Sequence, residues 1–116
     1  MKHTESLKSN YDYKEIYRTG KSYANKYLIM YIKRNEFDSN RLGISVSKKV
    51  GNSVVRHRVT RLIRESYRLS EDRLLSGLDI VITARVGAKG RDYAEIESAV
   101  LHLLKLHKVG KESSII

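Results

Sequence analysis

The sequence predicts an α+β fold in which a small mixed sheet packs against helices. Two stretches rich in apolar and β-branched residues, 26–34 and 78–85, predict strands. A third segment, 55–69, carries apolar residues at helical spacing and predicts a helix. A chain of 116 residues is long enough for one hydrophobic core but not for two. We therefore expect a single domain over residues 1–116.

The first helix is expected from Asn10 to Arg18. Asn10 can act as its N-cap, Asp12 lies in the first turn, and Gly20 follows its end. Residues 1–8, which precede this helix, are polar and are expected to form a loose tail.

Two antiparallel strands joined by a polar turn are expected next, over residues 26–34 and 41–49. The pattern also allows a short additional strand at 22–24. In the second strand, apolar residues alternate with small ones, so one face packs on the core and the other leaves the backbone open. The residues of this open face are Gly43, Ser45 and Ser47.

A long helix follows, and its apolar stripe consists of Val55, Val59, Leu62, Ile63 and Leu69. A third strand is expected at 78–85. The last helix spans about 92–109, with Asp92 and Glu95 as a capping box, and 110–116 form a second loose tail. The predicted order is helix, strand, strand, helix, strand, helix.

Most of the positive charge lies on the long helix and the turn before it. From Lys48 to Arg68 there are seven Lys or Arg residues and one acid, which gives +6 of the formal net charge of +10. At about 100° per residue the bases gather opposite the apolar stripe, with Arg56 and Arg58 on its flanks. Solvated surface helices interleave acids with bases, so this excess of arginine favours phosphate binding. The helix start at Asn52 adds free backbone N–H groups near the lysines.

The bulk composition limits the choice of partner and compartment. A pI near 9.9 favours a polyanion, with nucleic acid as the first candidate and an anionic membrane as the second. The longest apolar run, 27–32, is far shorter than the roughly 20 residues that span a bilayer, so no membrane partner is expected. The chain has no cysteine, which excludes disulfides and thiolate metal sites and fits a cytoplasmic location.

The sequence contains no recognisable catalytic or metal-binding constellation. His102 and His107 are five residues apart, so they do not align on one helix face. A phosphate loop, a carboxylate cluster for two-metal chemistry and a nucleophilic triad are also missing. We therefore assign no catalytic and no metal-binding residue.

Tyrosine dominates the aromatic residues, with eight Tyr, one Phe and no Trp. Exposed tyrosine in a basic protein can stack on unpaired bases for about 1–3 kcal/mol each. From the residues alone, core packing and base stacking both stay open for Tyr13 and Tyr17.

The basic segment closely resembles the signature of the protein subunit of bacterial ribonuclease P; it reads SVSKKVGNSVVRHRVTRLIRESYR over residues 45–68. An earlier segment resembles the aromatic N-terminal helix and following turn of the same family, NYDYKEIYRTGKSYAN over 10–25. The order and spacing match over residues 10–109. The family commonly has Asn where this chain has His57, and Lys where it has Thr60.

The resemblance implies a ribosomal-protein-like two-layer sandwich in which the arginine helix joins two parallel strands by a left-handed β-α-β crossover. It also implies that the protein binds a large catalytic RNA, which cleaves precursor tRNA and releases the 5′ leader. The RNA would hold most of the Mg²⁺ and perform the chemistry, and the protein would bind it 1:1 and improve substrate binding.

Site residues follow from the resemblance combined with the local patterns. The leader would lie in a cleft between the first helix and the sheet, lined by Tyr13, Tyr17, Ile29, Tyr31, Ser45 and Ser47. The surface that meets RNA would consist of Lys48, Lys49, Asn52, Arg56, Arg58, Arg61, Arg64 and Arg68.

Two other classes of protein compete with this prediction. A structural ribosomal or general RNA-binding protein would have the same charge and fold without any role in turnover. A DNA-binding regulator would place the arginine helix in a major groove, but no short preceding helix and turn of the helix-turn-helix type is evident.

Overall fold

The computed structural model describes residues 3–111. Its strands are β1 (Thr4–Ser6), β2 (Lys21–Ala24), β3 (Leu28–Arg34), β4 (Asn40–Ser45) and β5 (Leu78–Ala84). Its α-helices are α1 (Asn10–Thr19), α2 (Ser53–Ser70) and α3 (Tyr93–His107), and short 3-10 turns follow α2 at Glu71–Arg73 and β5 at Val86–Ala88. Every helix within 3–111 is too short or too polar to span a bilayer.

All five strands belong to one mixed sheet, in the order β1-β4-β5-β3-β2. β1 and β5 run parallel to β4, whereas β3 is antiparallel to β5 and β2 is antiparallel to β3. The α+β class is thereby confirmed, and β2 corresponds to the additional strand allowed at 22–24. β4 and β5 are parallel neighbours connected through α2, as the resemblance implies; the left hand of that crossover stays a prediction.

The predicted direct pairing of 26–34 with 41–49 is wrong. β3 and β4 do run in opposite directions, but β5 lies between them and pairs with both. The physical reason is that β5 is apolar on both faces, with Ile80, Val81 and Ile82 all fully buried. Such a strand is most stable at the centre of a sheet, where both of its faces are covered.

Helices cover both faces of the sheet. α2 and α3 pack on one face and form the main core; among the buried residues of this core are Met30, Leu42, Val59, Ile63, Ile80, Ile82, Ile96 and Leu103. On the opposite face α1 forms a smaller cluster in which Ile16 packs with Leu7 and Val81. The two-layer arrangement therefore describes the sheet with α2 and α3, and α1 adds a partial third layer.

Both predicted tails are partly wrong. Thr4–Ser6 forms an edge strand, Leu7 is buried beneath α1, and the hydroxyls of Thr4 and the buried Tyr67 lie 2.8 Å apart. At the other end, Lys111 N–H donates to Arg73 O at 2.7 Å. Residues 1, 2 and 112–116 lie outside the described residues.

The ends and faces of the helices differ in detail from the prediction. The N-cap of α1 is Ser9 rather than Asn10, because the Ser9 hydroxyl accepts from Tyr11 N–H. In α2, Leu69 is not part of the core, since 53% of it is exposed, and Tyr67 is buried instead. The capping box of Asp92 and Glu95 at α3 is confirmed, although the helix ends at His107 rather than near residue 109.

Candidate nucleic-acid interface

The sheet face that carries α1 is organised in rows that cross three strands. The register aligns Gly43 on β4 with Val81 on β5 and Tyr31 on β3. We call these three residues the packed row, because α1 packs on them. The next row, which we call the open row, consists of Ser45, Thr83 and Ile29. Each residue of the open row is only partly buried, so the sheet surface there is accessible.

Two tyrosines of α1 lie beside the open row. Ile16 points into the sheet, and Tyr13 and Tyr17 lie on the same flank of the helix because they are four residues apart. The Tyr17 ring meets the Tyr31 ring edge-on with centroids 4.8 Å apart, and its hydroxyl lies 3.3 Å from Thr83 Oγ1. The rings of Tyr13 and Tyr17 are 6.4 Å apart. Three tyrosines thus form one aromatic cluster at the edge of α1.

Gly43 provides the space that Tyr13 occupies. A Cβ atom at this position would lie 2.5 Å from the Tyr13 hydroxyl oxygen and 2.6 Å from its Cζ. Burial and the neighbouring Tyr17 raise the pKa of Tyr13 above its ordinary value, and the Ile44 backbone and the charge of Arg64 oppose this rise. Tyr13 is therefore a neutral ring seated on bare backbone.

The aromatic cluster borders a groove of about 370 Å³, which we call the tyrosine groove, lined by Asn10, Tyr13, Lys14, Tyr17, Ile44 and Ser45. Tyr31 contacts the Tyr17 ring, and Ile29 lies in the open row; neither residue lines the groove itself. Ser47 lies beyond the end of β4 and is exposed; its carbonyl accepts from Val50 N–H. The sequence analysis did not select Thr83. This residue is paired with Ile29 across β5 and β3, so the two side chains lie on the same face of the sheet. The alternation of side chains along β5 would have indicated this face once the partner strand was known.

The outer face of α2 presents the predicted arginines. Arg61 and Arg64 are exposed, and within the described part of the chain neither forms an ion pair with a carboxylate. Arg68 instead pairs with Glu65 at 2.6 Å, one helical turn away. A hollow of about 490 Å³ lies on this face, lined by Ser53, Val54, His57, Arg58 and Arg61.

The two arginines on the flanks of α2 are fixed by backbone carbonyls. Arg56 donates to Gly51 O at 3.2 Å, and Arg58 donates to Arg91 O at 2.9 Å. Thr60 turns its hydroxyl inward to Arg56 O at 2.9 Å, so this departure from the family pattern leaves its polar group on the helix backbone. His57 is exposed.

The start of α2 is only partly as expected. Lys48 and Lys49 are exposed in the turn that leads into the helix. The Asn52 side chain, however, accepts from Val55 N–H at 3.0 Å, so it occupies one of the backbone donors that an anion was expected to use. The first turn of a helix leaves further backbone N–H groups without an intrahelical partner.

The tyrosine groove includes the end of β4, and α2 packs on the opposite face of the same sheet. Within residues 3–111, β1 pairs only with Asn40 to Leu42, so the half of β4 from Gly43 to Ser45 has no neighbouring strand on that side. There the charge of Arg64 is close enough to lower the pKa of Tyr13 against the effect of burial. The charge of Arg64 on α2 therefore acts at the Tyr13 end of the groove.

Comparison with known proteins decides the family. A family model described as Ribonuclease P matches residues 1–108. The chain belongs to the ribonuclease P protein family. A ribonuclease P protein component of Lachnoclostridium phytofermentans is 64% identical over 106 residues, which cover 91% of each chain. One of Alkaliphilus metalliredigens is 51% identical and covers 94% of this chain and 98% of its own.

Solved structures of ribonuclease P proteins share the fold. The Staphylococcus aureus protein superimposes with a TM-score of 0.85 at 40% identity, covering 91% of this chain and 97% of its own. The Thermotoga maritima protein gives 0.76 at 29% identity, covering 84% and 93%. The resemblance inferred from the arginine segment is thereby confirmed.

Ribonuclease P is an endoribonuclease, and Mg²⁺ is the cofactor that the family implies. Across residues 3–111, no three His, Asp or Glu side chains come together in a way that could hold a metal ion. The described side chains therefore do not fit a protein-bound Mg²⁺.

Proposed function

We propose that this ribonuclease P protein component binds the catalytic RNA through the arginine face of α2 and holds the 5′ leader of precursor tRNA in the tyrosine groove. The observation that carries the proposal is the tyrosine groove beside β4 together with the exposed Arg61 and Arg64 on α2, which form no ion pair with a described carboxylate. A strand leaving a site beside α2 would pass directly from guanidinium groups onto aromatic rings. The leader would then be removed as the 5′ end of tRNA is matured.

The chemistry of α2 suits structured RNA. Arg61 and Arg64 are free of carboxylates within the described residues, so their planar guanidinium groups are available to phosphate oxygens. Arg56 and Arg58 are already held by carbonyls, which reduces the conformational entropy that binding would remove. Lys48 and Lys49 add charge at the helix start.

The chemistry of the tyrosine groove suits a single strand of any sequence. Tyrosine rings stack on every base, because each base has a π face, and Ser45 and Thr83 offer hydroxyls without excluding a backbone. Lys14 on the rim can pair with a phosphate. A leader of variable sequence needs such a sequence-tolerant site.

The remaining roles are assigned to the RNA. We propose that the RNA subunit holds the Mg²⁺ ions and carries out the hydrolysis, and that one protein binds one RNA in the cytoplasm. The absence of a carboxylate cluster from the described residues is consistent with this division, since two-metal phosphodiester chemistry needs such ligands.

Reconstitution tests the proposal. The protein is added to its ribonuclease P RNA at low Mg²⁺, and cleavage of a leader-bearing precursor tRNA is measured. We expect the protein to restore cleavage and to bind the leader-bearing precursor more tightly than leaderless tRNA. A general RNA-binding protein without a role in turnover would bind RNA but would not restore cleavage.

A matched pair of variants assigns the effect to the groove. Tyr17→Ala removes a ring that borders the groove and should weaken binding of the leader-bearing precursor by about tenfold, because one stacked base contributes about 1–3 kcal/mol. Tyr11→Ala removes an exposed ring from the other flank of the same helix and should have little effect. Equal effects of the two changes would reject the tyrosine groove as the leader site.

A further inference from the structure

A third row of residues crosses the sheet on the α1 face, on the side of the packed row away from the tyrosine groove. The register aligns Arg41 on β4 with Asp79 on β5 and Lys33 on β3. We call Arg41, Asp79 and Lys33 the charged row. Along the strands, the charged row is followed by the packed row and then by the open row. α1 lies over the first two and leaves the third accessible.

α1 is fastened to the charged row by its other flank. Asp12 accepts from Arg41 Nη1 at 3.3 Å, and Glu15 lies 4.0 Å from Lys33 Nζ. Since Arg41 is on β4 and Lys33 on β3, the helix crosses the strands along the rows. At about 100° per residue, Asp12 and Glu15 lie on one side of Ile16, and the groove tyrosines lie on the other.

Arg41 is the centre of this attachment. Its Nε donates to Asp79 Oδ1 at 2.8 Å and its Nη2 to Asp79 Oδ2 at 2.6 Å, so both carboxylate oxygens are taken by one planar fork. The remaining guanidinium nitrogen of Arg41, Nη1, donates to Asp12. Asn35 fixes Asp79 from the far side at 2.8 Å, and the guanidinium lies over the Phe37 ring. Only 7% of the Asp79 side chain and 21% of that of Arg41 are exposed.

We propose that Arg41 is a positioning residue that sets the width of the tyrosine groove by holding α1 on the charged row through Asp12. The inference rests on the proposed role of the groove in leader binding. If the Arg41–Asp12 contact is lost, the N-terminal half of α1 is free to shift across the packed row toward Ser45. Tyr13 and Tyr17 then lose their places beside the open row, although neither Arg41 nor Asp12 touches the leader.

An arginine is required for this geometry. Three nitrogens in one plane reach two carboxylates in different directions, whereas the single ammonium of a lysine is a point charge. Arg41→Lys keeps the charge and can still pair with the buried Asp79, so the sheet should fold. It should nevertheless release Asp12, and the helix with it.

The test uses the reconstituted holoenzyme, with Ca²⁺ replacing Mg²⁺ so that cleavage is suppressed. The measured quantity is the ratio of affinities for leader-bearing precursor and leaderless tRNA. We expect Asp12→Asn and Arg41→Lys to lower this ratio by about threefold to tenfold, as loss of one partly exposed hydrogen bond implies, and Asp12→Glu to retain most of it. Asp72→Asn is the matched control, because it removes the same charge from an exposed carboxylate that pairs with His3.

Nuclear Overhauser contacts between the Tyr17 and Tyr31 rings provide an independent readout in the free protein, since these rings lie 4.8 Å apart. They should weaken in Asp12→Asn and Arg41→Lys but not in Asp72→Asn. A merely structural role would lower the thermal stability and both affinities together without changing their ratio, and would overturn the inference. An equal effect of Asp72→Asn would overturn it as well.

The two proposals can fail separately. If the wild-type ratio is large and Asp12→Asn leaves both the ratio and the ring contacts unchanged, the positioning role is wrong and the leader groove stands. If the wild-type protein binds both RNAs equally, the leader groove is wrong and the positioning role falls with it.

Discussion

At the scale of single residues, the surface depends on what small side chains leave uncovered. Gly43 is the clearest case, because the ring of Tyr13 occupies the volume that any side chain there would need. The open face of β4 was expected to leave room for a ligand directly. In the structure, a protein ring fills the Gly43 position, and only the Ser45 end remains open.

Gly43→Ala should therefore displace Tyr13 and weaken leader binding. The new methyl group meets the far end of a flexible side chain, so the free energy of unfolding should fall by only about 1–2 kcal/mol, measured by urea denaturation. In a Tyr13→Ala background, Gly43→Ala should hardly change the free energy of unfolding, because the ring that the methyl group would displace is absent. Equal losses in both backgrounds would mean that the glycine matters for another reason.

At the scale of elements, α2 combines anchorage and recognition on opposite sides. Val59 and Ile63 are fully buried against the sheet, and the guanidinium groups face outward. An outward arginine without a carboxylate partner can neutralise an RNA phosphate, whereas one held by a glutamate first has to leave it. The arginines of this helix are therefore unequal, since within residues 3–111 Arg68 is the one that pairs with a carboxylate.

Replacing Arg61 and Arg64 together by alanine should weaken assembly with the RNA subunit and flatten its salt dependence. Each lost phosphate contact should reduce the slope of log K against log salt concentration by about one. The measurement is a binding titration of protein and RNA at several salt concentrations. Arg18→Ala with Arg34→Ala removes two charges outside α2 and should leave the slope nearly unchanged. If both pairs change it alike, net charge rather than the α2 face controls binding.

The elements also show where prediction from sequence succeeds and where it fails. Helices α2 and α3 were predicted because their apolar spacing and caps are local features. The local patterns did not show that β5 lies between β3 and β4, because strand neighbours are long-range contacts; the parallel arrangement of β4 and β5 came only from the family resemblance. β1 was missed since Thr4–Ser6 has no apolar pattern and is held by distant partners such as Tyr67. The contact between Arg41 and Asp79 joins residues 38 apart and has no local signal.

At the scale of the whole molecule, the two faces of the sheet have different tasks. One face carries the main core with α2 and α3, and the other carries α1 and the groove. The tyrosine groove lies at the half of β4 that β1 does not pair with.

His107 couples the end of α3 to the sheet and should make the stability of the whole domain depend on pH. Burial lowers the pKa of His107 below its ordinary value near 6.5, and Lys21 adds to this, although the Met30 carbonyl that accepts from Nε2 at 2.9 Å opposes it. The unfolded chain thus binds a proton more readily than the folded one, so the free energy of unfolding should fall as the pH drops below about 6.5. His107→Gln keeps an N–H donor without titrating and should flatten this decline in urea denaturation from pH 7 to pH 5. His102→Gln, on the exposed side of the same helix, should retain the wild-type decline, and an unchanged decline in His107→Gln would place its origin in another group.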